Sequence, residues 1–185
     1  MNAKGTFSHL GYNSNENDMS DWRQYGGTGV TITEDLRSRK SSHGADPTKL
    51  GCWTWIRIYG RNGEATVFVS AYRPCKNITG ISTVLSQQER YFQGEGSDPD
   101  IHKQFIEDLT TAIGRMRDNG DHVVLGMDAN EDIRTGSVTL ALEDVGMLEG
   151  MISKHRGASV PATCATNQSR TPIDGIWISP GIEVL

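Results

Sequence analysis

At 185 residues, 36% hydrophobic and 22% charged, the chain is long and apolar enough for one substantial folded domain and excludes wholesale disorder. Its formal net charge of −5 argues against a protein that binds nucleic acid by bulk charge, because that affinity comes from many Lys and Arg on phosphates. An enzyme that holds a metal with carboxylates and touches few phosphates is compatible with it.

Nothing in the sequence is apolar over the length of a bilayer, and Met1-Asn2-Ala3-Lys4-Gly5-Thr6 lacks the core of a signal peptide, so an intracellular protein of the cytoplasm or nucleus is expected. Cys52, Cys75 and Cys164 are odd in number, far apart and without a C-x-x-C. They read as buried thiols in a reducing compartment, not as a zinc site. The sequons at Asn77 and Asn167 carry little weight without a secretory route.

Residues 1–24 are polar, and Asn13–Asp18 has no periodicity; the segment reads as a loop, with Asn15 and Glu16 more simply solvated than metal-bound. Gly26-Gly27-Thr28-Gly29 leads into the strand pattern Val30-Thr31-Ile32. A phosphate-cradling loop needs a helix at that point, so the glycines are read as a close approach to a neighbouring element. Residues 34–50, with Arg37, Arg39 and Lys40, read as a solvated loop or irregular crossing. Trp53–Tyr59 alternates large and polar residues, Gly60-Arg61-Asn62-Gly63 is a turn, and Ala65–Tyr72 is the returning strand, stopped by Pro74. That places Tyr72 and Arg73 at a strand's C-terminal end, where α/β sheets carry function. Residues 76–98 read as loop with a short helix near Gln87–Phe92. From Asp100 to Met116 the stripe Ile101, Phe105, Leu109, Ile113 predicts an amphipathic helix, capped by Asp98 or Asp100 and ended by Asn119-Gly120.

That helix feeds the apolar run Val123-Val124-Leu125, a buried strand, followed by Gly126-Met127-Asp128-Ala129-Asn130. On extended backbone Asp128 and Asn130 share a face, and together could hold a hard cation, a phosphate oxygen or an attacking water; an Asx turn is the plainer alternative. Thr139–Leu142 reads as helical with Leu148 near its end, and His155 lies in a polar loop. Ile173, Ile176, Trp177 and Ile178 make a last strand. Asp174 stands at its start among apolar neighbours, where a lone carboxylate is costly unless paired or on a metal, so it reads as functional.

Four segments, Gly26-Gly27-Thr28-Gly29-Val30, Ser70-Ala71-Tyr72-Arg73-Pro74, Leu125-Gly126-Met127-Asp128-Ala129-Asn130 and Pro172-Ile173-Asp174-Gly175-Ile176, occur in the order and spacing of the endonuclease/exonuclease/phosphatase superfamily. The resemblance covers about residues 22 to 185, and Thr163-Cys164 with Ile173–Trp177 looks most like a retrotransposon-type endonuclease. It implies an α/β fold, a four-layer α/β/β/α sandwich of two mixed sheets, and Mg²⁺-dependent (or Mn²⁺-dependent) hydrolysis of phosphodiesters, with DNA as substrate. By the same resemblance Tyr72 touches the scissile phosphate or a carboxylate ligand, and Arg73 lies beside the phosphate. Asp128 orients or deprotonates water or assists the leaving group, Asn130 binds a phosphate oxygen and fixes Asp128, and Asp174 orients a catalytic His. Asp128 and Asn130 are the metal-side residues. The family's Asn-bearing first strand and metal-binding Glu are not recognisable before Gly26, and its Ser-Asp-His does not follow the Ile176 strand. Residues 1–185 therefore read as one such domain lacking its first strand and C-terminal segment, with weak or absent cleavage expected of the chain alone. A catalytically degenerate binding module, or a phosphodiesterase acting on a non-nucleic-acid substrate, are the competing readings.

Overall fold

The computed structural model describes residues 7–11, 25–60, 62–76, 80–154, 160–165 and 170–183. Two neighbouring strands, β4 (Trp53–Tyr59) and β5 (Ala65–Tyr72), form the hairpin anticipated from their alternation, in the register Tyr59 to Ala65 through Trp53 to Ala71. Beside β5 lies β6 (His122–Asp128), parallel to it because the connection runs through two helices, α1 (Val84–Gly94) and α2 (Ile101–Asp118). With β3 (Lys40–Ala45), β7 (Leu148–Glu149) and β10 (Asp174–Ile178) they make a six-stranded mixed sheet in the order β3-β4-β5-β6-β10-β7.

The alternation of β5 and β6 buries Ala65, Val67, Val69, Ala71, Val123, Leu125 and Met127 on one face. There the predicted stripe of α2, Ile101, Phe105, Leu109 and Ile113, is buried; Phe105, Leu109 and Ile113 share one core with Trp53 and Trp177, and Phe105 meets Trp53 edge-on at 5.9 Å between centroids. Each such side chain, removed from water, contributes about 1.5–3 kcal/mol. Asp100 caps α2, accepting from the backbone N–H groups of His102 and Lys103, and Gly120 leaves the helix end at φ +79°. Asp100→Ala is expected to lower the unfolding free energy by about 1 kcal/mol, seen as an earlier urea midpoint; an unmoved midpoint would show the cap to be idle.

The opposite face of the sheet carries a second, two-stranded sheet of β1 (Phe7–Gly11) and β2 (Thr28–Ile32), whose Ile32 and Val30 pack with Ile56 and Ile58. Helices, sheet and second sheet are thus stacked as layers of an α/β sandwich. Short elements complete the chain: α3 (Ser137–Asp144), α4 (Gly150–Lys154), and the pair β8 (Cys164–Ala165) and β9 (Arg170–Thr171).

Several expectations are corrected. Residues 7–11, in a polar stretch where the sequence predicts no element, form a strand that pairs with β2 along its whole length. Within the supposed loop 34–50 lie a 3₁₀ helix, Glu34–Arg39, and β3, whose polar sequence Lys-Ser-Ser-His-Gly-Ala suits the outer edge of a sheet. The segment before α2 contains the full helix α1, started by a reciprocal cap between Thr83 and Ser86. Leu148 belongs to β7 and not to the helix before it. The stretch Asn13–Asp18, the sequons at Asn77 and Asn167, and His155 lie outside the described residues. The three cysteines are free, Cys52 buried and Cys75 and Cys164 half-buried. Among the described residues no helix is long and apolar enough to cross a membrane.

Candidate metal and phosphate site

Strand register brings distant residues together at one end of the sheet. Tyr72, the last residue of β5, is paired with Asp128, the last of β6, and Asp128 is paired in turn with Asp174, the first of β10. Cross-strand partners point to the same face and adjacent strands lie about 4.8 Å apart, so a phenol and two carboxylates form one row. The row lies on the face that carries the β1–β2 sheet, opposite α2. The sheet continues to pair just past it: Arg73 N–H donates to the Asp128 carbonyl at 3.0 Å and Ala129 N–H to the Ile173 carbonyl at 2.8 Å. Thr163 Oγ1 accepts from the N–H groups of Ile173 and Asp174, at 2.9 and 3.1 Å, and fixes the start of β10.

Asn130 joins the row by a route different from the one its spacing suggested. It is not on extended backbone but in the left-handed region at φ +49°, which Asn tolerates better than most residues. The Asx turn is real: Asn130 N–H donates to Asp128 Oδ1 at 3.1 Å. Its side-chain Nδ2 donates to the Arg73 carbonyl at 2.6 Å, and the amide also reaches the Tyr72 hydroxyl. Tyr72, Asp128, Asn130 and Asp174 are therefore brought together.

Arg73 is not with them. As the neighbour of Tyr72 it faces the other way; its side chain is 1% exposed and bonds Glu131 Oε2 through Nη1 at 2.8 Å. The same Nη1 reaches the Ala129 carbonyl. A guanidinium so enclosed has no access to a phosphate on the Tyr72 side. Glu131 in turn accepts from Val138 N–H at 2.6 Å and from Ser137 Oγ, at the start of α3. Sequence reasoning passed over Glu131; its one signal was its place next to Asn130. Asp174 is also corrected. It is exposed, so its cost of burial was no argument for function, and its pairing with Asp128 replaces that argument.

Electrostatics at the row favour a cation. Burial, and beyond it the charge of Asp174, raise the Asp128 carboxyl above the usual carboxylate range, against a lowering by the Asn130 N–H. Burial likewise raises the Tyr72 phenol, and Asp128 adds to it. Asp128 binds its proton more tightly folded than unfolded. Its contribution to stability is thus present at low pH and is lost as pH climbs through the raised value. Asp174→Asn should move the Asp128 titration down toward the ordinary carboxylate range in ¹³C carboxyl NMR; an unmoved titration would separate the two carboxylates.

Two carboxylates and an amide are oxygen donors of the kind a hard divalent cation takes. Among the described residues no three His, Cys, Asp or Glu side chains gather as a self-sufficient metal site. Mg²⁺ does not require one, since it is commonly held by one or two carboxylates with waters and substrate phosphate completing its shell. Asp128 and Asp174, paired across β6 and β10, would hold such an ion, with Asn130 beside them. Beside Tyr72 opens a hollow of about 230 Å³ walled by Tyr25, Gly26, Cys75, Thr83 and Val84. Gly26, at φ +77°, lies against Val84: a Cβ there would sit 2.8 Å from its Cγ2, which accounts for a glycine at that position.

No family model matches the sequence and no curated protein matches it; the likeness lies in three dimensions. An endonuclease/exonuclease/phosphatase family protein from Leptotrichia buccalis superposes with a TM-score of 0.53 at 11% identity, covering 96% of this chain and 61% of that one. The AP endonuclease LMAP from Leishmania major gives 0.62 at 10% identity, covering 96% and 62%. The 3′-5′ exonuclease NExo from Neisseria meningitidis gives 0.57 at 14% identity, covering 95% and 68%. The chain thus has the fold of these proteins and spans about 61% of the length of the first.

Proposed function

We propose that this chain, folded as an endonuclease/exonuclease/phosphatase domain, hydrolyses phosphodiester bonds with Mg²⁺ or Mn²⁺, and that its substrate is DNA, in the manner of a retroelement endonuclease. The observation that carries the reading is the register of β5, β6 and β10, which sets Tyr72, Asp128 and Asp174 in one row. Three fold neighbours named as nucleases or family members support the reaction class.

In this reading Asp128, its carboxyl raised by burial and by Asp174, takes up or positions a proton of the attacking water. Asn130 spends its amide on the Arg73 carbonyl and the Tyr72 hydroxyl, which fixes the phenol toward the phosphate, while its Asx turn fixes the Asp128 carboxylate. The Tyr72 hydroxyl contacts the phosphate. Asp174 supplies the second negative charge at the cation. A bound divalent ion contributes Lewis acidity and a charge clamp for the pentacoordinate phosphorus. Arg73 acts at one remove, holding the Asp128–Glu131 turn from behind.

One observation favours the competing reading of a domain that binds without cleaving: no third carboxylate or His completes the row among the described residues. Nicking of supercoiled DNA distinguishes the two. Cleavage that requires Mg²⁺ or Mn²⁺ and stops in EDTA supports hydrolysis; DNA retained intact but bound supports the binding module.

A further inference from the structure

A second cavity, of about 560 Å³, opens on the helix side of the sheet between α2 and the outer strands β3 and β4. Its wall includes Asp121, at the opposite end of β6 from Asp128, which at about 3.3 Å per residue places it roughly 20 Å from the row described above. The size suits a small organic ligand.

Its floor is flat and apolar. The half-buried indole of Trp55 lies across β3 because residue 44 is glycine: a Cβ there would sit 2.7 Å from Trp55 Cζ2. Ala112 and Met116 of α2 face it across the cavity. The polar groups are cationic in excess. Arg57 grips Asp121 through Nε and Nη2, donates to Ser41 through Nη1 at 3.0 Å and also bonds the Tyr59 hydroxyl, which leaves at most one guanidinium N–H for a ligand. Arg115, on the last turns of α2, has no acidic partner among the described residues and lines the same space, as does the Asn119 amide. The Arg57–Asp121 pair, with side chains 22% and 4% exposed, sets a fixed guanidinium in the cavity wall.

We propose that this cavity binds a planar aromatic anion of mononucleotide size. The ring would lie on Trp55, and the phosphate would be held by Arg115, beside the positive face of Arg57. This does not rest on the proposed phosphodiesterase function, since no residue is shared.

The test titrates the whole chain with dAMP, followed by tryptophan fluorescence and calorimetry. Saturable binding is expected, at least about tenfold tighter than that of deoxyadenosine or inorganic phosphate alone. Arg115→Glu, an exposed change that leaves the core intact, should weaken it about tenfold or more, and Trp55→Leu likewise. Asp128→Asn should leave it unchanged. No saturation at millimolar dAMP, full affinity in Arg115→Glu, or loss of binding in Asp128→Asn would each overturn the proposal.

Discussion

Asp128→Asn is expected to reduce metal-dependent phosphodiester cleavage by about 10³-fold, almost entirely in kcat. The substitution is nearly isosteric. Asn130 N–H can still donate to the side-chain oxygen, so the turn at φ +49° survives. What is lost is negative charge at the centre of the row, where Asp174 lies on one side and Tyr72 on the other. An amide can neither accept the proton of the attacking water nor balance a divalent cation as a carboxylate does, and about 4 kcal/mol of transition-state stabilisation goes with it. KM should change less than kcat. A fall of less than about tenfold would move the chemistry away from Asp128.

The largest effect on stability should come from Arg73→Met, at about 3 kcal/mol by urea unfolding. The methionine fills much of the space, but Glu131, 18% exposed, keeps its charge without its counter-ion. Breaking one side of a buried pair costs about 3–5 kcal/mol, and the partial exposure of Glu131 places this case at the lower end. Adding Glu131→Gln removes the stranded charge while the amide oxygen can still accept from Val138 N–H. The double variant should therefore recover at least ~1 kcal/mol over Arg73→Met. If the two changes were simply additive, the pair would not be coupled and Arg73 would act by packing alone.

The contrast between Tyr72 and Arg73 shows what the sequence made legible. Both stood at the end of a strand whose limits, Ala65 to Tyr72, were readable from its alternation and from Pro74. Consecutive residues on extended backbone face opposite sides, however, so two neighbours could not both reach the same phosphate. Alternation favours Tyr72 for the row and buries Arg73. The helix α2 was legible because four apolar residues recur at helical spacing and an Asp precedes them. The strands β1 and β3 were not. One is five residues long in a polar stretch, and the other is an edge strand whose side chains report solvent and not secondary structure. Asp128 was legible as the residue leaving a buried strand. Its partnership with Asp174, 46 positions later, depends on β10 lying next to β6 and is a fact of register alone.

Paramagnetic broadening by Mn²⁺ in NMR spectra of the chain tests the central claim most directly. Resonances of Tyr72, Asp128, Asn130 and Asp174 should vanish first and together at substoichiometric ion, while those of the Arg57–Asp121 end of the sheet persist. Broadening centred elsewhere, or none at any ion concentration, would contradict a metal and phosphate site at the ends of β5, β6 and β10.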